Sequence, residues 1–130
     1  MDEILRLMGL ALRARGLVAG EEVVAEAVSA HRARLLLVAE DAAGSTLRRA
    51  EKHAAGRLPL MTVPAGKETI GSALGKGSCA VAAVLESGFA ARIGTLLAER
   101  NPDYRAMAEE LERKQAKRLR RKKEKPRKKS

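Results

Sequence analysis

Aromatic residues are nearly absent from this 130-residue chain, which has no tryptophan and a single phenylalanine and tyrosine, Phe89 and Tyr104. Any hydrophobic core must therefore be built from aliphatic side chains. Cysteine is equally scarce, because Cys79 is the only one in the sequence and an intramolecular disulfide is impossible. A lone cysteine suits the reducing cytosol, so we expect a cytoplasmic protein.

Long apolar runs are missing as well. No run approaches the roughly 18 residues of a membrane span, so we expect no membrane partner. No nucleophile, base and orienting group can be assembled from the sequence, and the glycine-rich spacing of a phosphate-binding P-loop is absent. We therefore expect a protein that is not an enzyme and that carries no metal or other cofactor.

Positive charge is abundant, and its distribution is uneven. The formal net charge is +10, from 26 Lys and Arg against 16 Asp and Glu. Residues 101–130 hold 13 of these cations and 5 of the acids, a net of +8, which leaves +2 for residues 1–100. A basic tail is typical of proteins that bind polyanions, but by itself it does not choose between RNA and an acidic membrane.

Hydrophobic spacing along the chain predicts alternating helices and strands. Helices are predicted at residues 3–14, 21–31, 45–55, 67–74 and 87–100. Strands are predicted at residues 35–39, 58–63 and 79–85, with Pro59 at a strand start or edge. This alternation predicts an α/β fold: a single-domain, three-layer α-β-α sandwich with a small mixed sheet over residues 1–100. Residues 101–130 are predicted to be a basic extension, a solvated helix to about residue 120 and then a disordered end.

Three short motifs occur in order on these predicted elements. The first is Gly9-Leu10-Ala11 with Arg13-Ala14, followed by Gly20-Glu21-Glu22. The second is the segment from Leu37 to Ala42, a strand that ends in an acidic pair, and the third runs from Lys67-Glu68 to Gly75-Lys76. Together they resemble the kink-turn-binding ribosomal protein family (the L-seven-Ae family), in its bacterial YlxQ-type branch. The resemblance covers roughly residues 4–98.

The resemblance implies an α-β-α sandwich that binds kink-turns, which are sharply bent RNA helices with tandem sheared G·A pairs. In this family the start of the second helix recognises the RNA, and a loop before the last strand covers unpaired bases. The implied RNA-binding residues are Gly20, Glu21, Glu22, Glu40, Asp41, Gly75, Lys76, Gly77, Ser78 and Ala80. The family's members bind RNA typically as monomers, which implies a monomer here.

The chemistry of these residues allows that role and also plainer ones. A helix start offers free amides to phosphate, Gly20 lets RNA backbone approach, and Glu22 could accept hydrogen bonds from guanine. The plainer interpretation is that Glu21 and Glu22 are surface acids favoured by the helix dipole. Arg13 and Arg15, which we place just before the second helix, could hold phosphate or be solvated arginines.

The remaining candidate residues also have structural interpretations. Residues 75–80 form a small loop with one cation, which suits RNA or a simple glycine turn. Asp41 could begin the third helix instead of contacting a ligand. Cys79 is expected to be a buried small residue, and Arg49 to be part of an outward basic stripe.

The favoured function is an RNA-binding protein, ribosomal or ribosome-associated, with structured RNA and ribosomal proteins as partners. The alternative is a protein-interaction or ribosome assembly factor on the same fold, with weak or lost kink-turn specificity. Glu26 favours the alternative, because the YlxQ-type branch usually keeps a lysine there. The basic tail could compensate by attracting RNA without regard to its sequence.

Overall fold

The computed structural model describes residues 2–124, which form six α-helices, four β-strands and one single-turn 3₁₀ helix. The helices are α1 (Asp2–Arg13), α2 (Glu21–Ser29), α3 (Gly44–Ala54), α4 (Lys67–Ala73), α5 (Ser87–Arg100) and α6 (Arg105–Glu124). The strands are β1 (Leu17–Ala19), β2 (Leu35–Ala39), β3 (Leu60–Val63) and β4 (Val81–Val84), and the 3₁₀ helix is Pro102–Tyr104. None of the helices within residues 2–124 is long and apolar enough to cross a membrane.

The strands form one mixed sheet in the order β1-β4-β2-β3. Strand β4 is antiparallel to both of its neighbours, and β2 and β3 run parallel. Parallel strands need a crossover connection, which α3 provides between β2 and β3. As a result, β1, β2 and β3 all end where β4 begins. We call this the front end of the sheet, and the opposite end the back end.

Helices cover both faces of the sheet. Along β2, Leu35 and Leu37 face a core shared with α1, α4 and α5, whereas Leu36 and Val38 face a second core shared with α2 and α3. Burial on both faces explains why β2 is a continuous apolar run in the sequence. The predicted three-layer α-β-α sandwich with a small mixed sheet is confirmed.

Strand β1 is the one strand of the sheet that the sequence did not predict. It has three residues, of which only Leu17 is fully buried, and it pairs with β4 across the front-to-back length of the sheet. Three residues are too few to show the alternation that identifies a strand. All of the helices and strands that were predicted are present, with first and last residues that differ from the predicted ones by at most a few positions. Pro59 immediately precedes β3, as its missing amide proton predicts.

The expectation of a fully solvated helix after residue 103 is wrong for the first half of α6. Ala108 and Leu111 are buried, and Leu111 belongs to the main core. Its Cδ1 atom lies 2.8 Å from the position that a Cβ on Gly94 would occupy, so α5 and α6 approach closely because residue 94 has no side chain. Two buried residues in so charged a segment give a helical pattern that is too weak to identify a buried face.

The second half of α6 is exposed, as predicted, but the helix continues to Glu124 instead of ending near residue 120. The predicted disordered end therefore does not include residues 121–124. Its remaining part, residues 125–130, lies outside the described residues. The domain boundary at residue 100 stays a prediction.

Replacing Leu111 with alanine should lower the free energy of unfolding by about 2–4 kcal/mol, because a buried side chain is lost and a cavity is left between α5 and α6. Leu119→Ala is the matched control, since it makes the same change in the same helix at a residue that is 55% exposed. We expect the control to change stability by less than about 0.5 kcal/mol. Chemical denaturation measures both variants, and equal effects would contradict the packing of α6 on α5.

Candidate nucleic-acid interface

Three of the predicted site segments meet at the front end of the sheet. The Gly20 amide donates to the Val81 carbonyl oxygen at 3.0 Å, which ties the start of α2 to the start of β4. On the other side of β4, the Ala39 amide donates to the Ala80 carbonyl oxygen at 2.9 Å. The sheet therefore brings together residues that lie up to 61 positions apart in the sequence. We call the segments 20–22, 40–41 and 75–80 the front surface.

The start of α2 has open space and uncapped amides. Gly20 has φ 114°, a backbone conformation that residues with a side chain rarely adopt. A Cβ at this position would have open space, since the one atom within 4 Å is Val23 Cγ2 at 3.9 Å. No side chain among residues 2–124 caps the helix. The amides of its first turn are therefore available to an anion or to the polar edge of a base, beside the positive end of the helix dipole.

Glu21 has a structural role that the sequence analysis did not predict. Its Oε1 atom accepts a hydrogen bond from Arg49 Nε at 2.6 Å, and its Oε2 atom accepts one from the Thr46 hydroxyl at 3.2 Å. The hydrogen bond from Arg49 lowers the pKa of the Glu21 carboxyl, and Thr46 acts in the same direction. Arg49 is thus part of a link between α2 and α3, not only of an outward basic stripe.

Glu22 is the carboxylate of α2's first turn that remains available. It is exposed and has no hydrogen-bond or ion-pair partner within the part of the chain that the structure describes. A free carboxylate at this position can accept hydrogen bonds from the amino and imino groups of a guanine.

The acidic pair after β2 is divided between two roles. Asp41 Oδ1 accepts a hydrogen bond from the Lys67 amide at 2.8 Å, and therefore caps α4. The expectation that Asp41 begins the third helix is wrong, because α3 starts at Gly44 and Asp41 caps an element 26 residues away. Glu40 is exposed, and its backbone amide donates to the Ala65 carbonyl oxygen at 3.1 Å. Its carboxylate has no partner within residues 2–124.

The loop at residues 75–80 is held from beneath by α4. The Lys76 amide donates to the Gly71 carbonyl oxygen at 2.7 Å, and the Cys79 amide donates to the Lys67 carbonyl oxygen at 2.8 Å. A Cβ on Gly71 would lie 2.5 Å from Ser78 Cα, so the loop rests directly on a glycine. Residues 75–78 are exposed above this support, with Lys76 as their one cation.

Cys79 ends the exposed part of the loop. Its side chain is buried, as predicted, and its Sγ atom donates to the Val81 carbonyl oxygen at 3.4 Å. Burial raises the pKa of the thiol. A buried neutral thiol is a packing residue and not a nucleophile.

The expectation that Arg13 and Arg15 lie beside the start of α2 is wrong. Strand β1 lies between them and Gly20 and carries the chain from the back end to the front end. The carbonyl oxygen of Gly16, next to Arg15, accepts from the Leu85 amide at 2.7 Å, which places Arg15 at the back end. The Arg13 guanidinium turns back along α1, where its Nη1 atom is 3.5 Å from the Cβ position of Gly9.

A groove of about 280 Å³ lies between α2 and α3, next to the front surface. Val24, Ala25, Ala50 and Val81 form its apolar floor, and the linked side chains of Glu21 and Arg49 stand at its rim. This groove was not predicted from the sequence. The spacing of Thr46, Arg49 and His53 on one face of α3 was the only available signal, and it did not reveal that α2 lies opposite.

This chain matches known proteins over most of their own length. The RNA-binding protein YlxQ of Bacillus subtilis (strain 168) is 36% identical over 92 residues, which are 70% of this chain and 91% of that protein. The chain belongs to the YlxQ family. A solved structure of a protein of unknown function from Bacillus halodurans is 31% identical with a TM-score of 0.69, and the match covers 75% of this chain and 98% of that one. No protein-family model matches the chain.

The YlxQ family membership confirms the resemblance that the three sequence motifs indicated, at the level of the family. Both relatives are matched almost to their full length, whereas at least a quarter of this chain lies outside each match. The chain is therefore longer than these two relatives.

In this YlxQ-family fold, Gly71→Ala should displace the loop at residues 75–80, because the new Cβ would overlap Ser78. We expect a loss of about 1–3 kcal/mol in the free energy of unfolding, and faster hydrogen exchange at the Lys76 and Cys79 amides. Alanine is the better helix former by about 1 kcal/mol, so a stabilising result would show that the loop does not rest on Gly71. Gly77→Ala is the control, since its Cβ would meet no atom within 4 Å.

The link between Glu21 and Arg49 predicts an acid-dependent stability. Because folding lowers the pKa of Glu21, the ion pair stabilises the fold above the ordinary carboxyl pKa, and this is lost as the pH falls through the lowered value. The contribution should be small, because both side chains are about half exposed and solvent screens the pair. Arg49→Gln should return the pKa of Glu21 to its ordinary range in an NMR titration, whereas Lys52→Gln on the same helix should not. An unchanged Glu21 titration in Arg49→Gln would contradict the link.

Proposed function

We propose that this protein is a non-catalytic RNA-binding protein that recognises kink-turns, bent RNA with sheared G·A pairs, through its front surface. The observation that carries the proposal is the convergence of the α2 start and the loop at residues 75–80 on the first residues of β4. These are the two segments that the family resemblance assigns to RNA recognition. The B. subtilis relative is named as an RNA-binding protein, which supports RNA as the ligand of this chain too.

The chemistry of the front surface suits a folded RNA better than a plain duplex. Backbone amides at the start of α2 would bind one phosphate, and Glu22 would accept from guanine edges that sheared G·A pairs leave accessible. The exposed small residues of the loop would pack on unpaired bases, with Lys76 against a phosphate. Each of these contacts needs a bent strand that presents bases and backbone together.

Binding, and not catalysis, fits the state of the ionisable groups at the front end. Glu21 is held by Arg49, Asp41 caps α4, and the Cys79 thiol is buried with a raised pKa. The proposal therefore assigns no metal or cofactor to this surface. It places the protein in the cytoplasm as a monomer, on or near the ribosome, with structured RNA as its principal partner and ribosomal proteins as further partners.

One observation favours the alternative of a protein-interaction or assembly factor with weak kink-turn specificity. The front surface contains four carboxylates, those of Glu21, Glu22, Glu40 and Asp41, and one lysine, Lys76. Glu26, one turn after Glu22, is exposed and adds a fifth acid nearby. Like charges several ångströms apart near a surface repel by about 1–4 kcal/mol before screening, which would weaken phosphate binding here.

A titration with a kink-turn RNA and with the same RNA carrying Watson–Crick pairs in place of its G·A pairs separates the two functions. We expect a preference of at least about ten-fold for the kink-turn, because specific base contacts contribute about 1–3 kcal/mol each. Fluorescence anisotropy measures both affinities. Equal affinities would contradict kink-turn recognition and favour the alternative.

Glu22→Gln tests the residue that we assign to guanine. It should weaken kink-turn binding about ten-fold, because one acceptor of a specific base contact is lost, while binding to the Watson–Crick control RNA should not weaken. Glu26→Gln is the matched control on the same helix and should leave affinity unchanged or raise it. If the two variants behaved alike, Glu22 would have no specific role.

A further inference from the structure

The back end of the sheet has a surface that the proposed function does not use. Its position is set by the Arg34 amide, which donates to the Val84 carbonyl oxygen at 2.8 Å, and by the Leu85 amide, which donates to the Gly16 carbonyl oxygen at 2.7 Å. These contacts lie at the end of β4, whereas the front surface lies at its start.

Helix α6 runs antiparallel to α5 and reaches this back end. The Thr95 hydroxyl donates to Glu112 Oε2 at 2.7 Å, and Gln115 Nε2 lies 3.2 Å from the position of a Cβ on Gly88, in the first turn of α5. The turns of α6 after Gln115 therefore extend past the back end, for about 13 Å at the helical rise of 1.5 Å per residue.

Charges along α6 are segregated. The part of α6 before the back end contains three acids, Glu109, Glu110 and Glu112. Residues 113–123, which follow, contain eight Lys and Arg and no acid. Within residues 2–124, Arg113 is the one cation of this group that forms an ion pair, with Glu110. This half of α6 is therefore an exposed basic segment, and its cations other than Arg113 have no ion-pair partner among the described side chains.

The body of the domain adds to this charge. Arg34 Nε donates to the Leu85 carbonyl oxygen at 3.0 Å, and Arg34 shares a small cleft with Lys114. Burial lowers the pKa of Arg34, and the nearby charge of Arg118 lowers it further. An open cleft of about 500 Å³ continues this surface and is lined by Arg118, Arg121 and Lys122. We call Arg34, Lys114, Arg118, Arg121 and Lys122 the back surface.

Local counter-charge is scarce at the back surface. Among the described residues, Glu86 is the one carboxylate that lines the larger cleft, and the smaller cleft is lined by none. The Oε1 atom of Glu86 already accepts from the Phe89 amide at 2.8 Å, which caps α5. The cations also surround the positive end of the α5 dipole, where positive charge is unfavourable. A cluster of cations with so little counter-charge favours binding of a polyanion from outside the protein.

RNA fits this surface better than an anionic membrane does. An interfacial helix binds lipid through a free apolar face beside its cations. The buried apolar residues of α6, Ala108 and Leu111, are packed against the domain, and the basic half exposes only Leu119 as a large apolar side chain. A row of cations without an apolar face is suited to the phosphate backbone of a nucleic acid.

We propose that the back surface binds the backbone of a second RNA segment, separate from the one at the front surface, so that the protein bridges two parts of an RNA. The inference rests on the proposed function only in taking RNA as the ligand class. It also changes the expectation for the tail: the basic half of α6 projects from the opposite end of the domain and does not strengthen the contacts of the front surface to the kink-turn. Arg15 lies at this end too.

Removing residues 101–130 would not test this, because Leu111 would be lost from the core. A charge variant keeps the helix, since glutamine is a good helix former. The back variant is Lys114→Gln, Arg118→Gln, Arg121→Gln and Lys122→Gln. The control variant removes the same charge from exposed cations away from the back end: Arg6→Gln, Arg48→Gln, Arg100→Gln and Arg105→Gln.

Binding of a plain RNA duplex is measured as a function of salt for both variants in the full-length chain. The back variant should bind at least about ten-fold more weakly than the unmodified protein, with a log–log salt slope shallower by about 3–4, whereas the control slope should change by less than about 1. Equal losses in the two variants would overturn the inference. So would binding of phosphatidylserine vesicles that depends on the four back-surface cations while duplex binding does not.

A ternary experiment tests the bridge. With the unmodified protein saturated by kink-turn RNA, a labelled plain duplex should still bind, and the back variant should lose only the duplex. Displacement of the duplex by the kink-turn RNA would show one shared site and would overturn the inference. Failure of kink-turn discrimination, with duplex binding still lost in the back variant, would overturn the proposed front function while supporting the back surface.

Discussion

The first residues of β4 are the structural element on which the arrangement of the front surface depends. Ala80 and Val81 lie between the ends of two strands, and their carbonyl oxygens accept the amides of Ala39 and Gly20. Because β4 runs opposite to its neighbours, the ends of β1 and β2 and the loop that enters β4 must meet at one place. A residue without a side chain is needed there, since Gly20 turns with a positive φ into α2.

Much of the fold could be predicted from the sequence, because the buried strand β2 and the helices around it have clear hydrophobic spacing. The three-residue β1 could not, and its absence from the prediction also misplaced Arg15, which seemed adjacent to α2 along the chain but lies at the other end of the sheet. The early turns of α6 were misjudged for a related reason. The small surface of Ala108 and the gap at Gly94 are visible only once α5 lies beside α6.

The sequence indicated which segments form the candidate site, but not which of their side chains are free of partners within the protein. Glu21 and Asp41 are bound by Arg49 and by the Lys67 amide, which lie 28 and 26 residues away, and no local pattern predicts such partners. Glu22 and Glu40 are thereby the acidic side chains of the front surface that have no partner among the described residues. The family resemblance indicated where the surface lies, and the tertiary contacts determine which side chains on it are available.

The two ends of the domain differ in charge, with carboxylates and one lysine at the front surface and cations without ion-pair partners among the described side chains at the back. Shape and hydrogen bonding would dominate at the front, and long-range attraction at the back. The most direct measurement is an NMR titration of the full-length protein with a kink-turn RNA, followed at the backbone amides. The account predicts that Glu21, Glu22 and residues 75–78 shift most and saturate at one equivalent. Shifts confined to α6, with those amides unchanged, would contradict it.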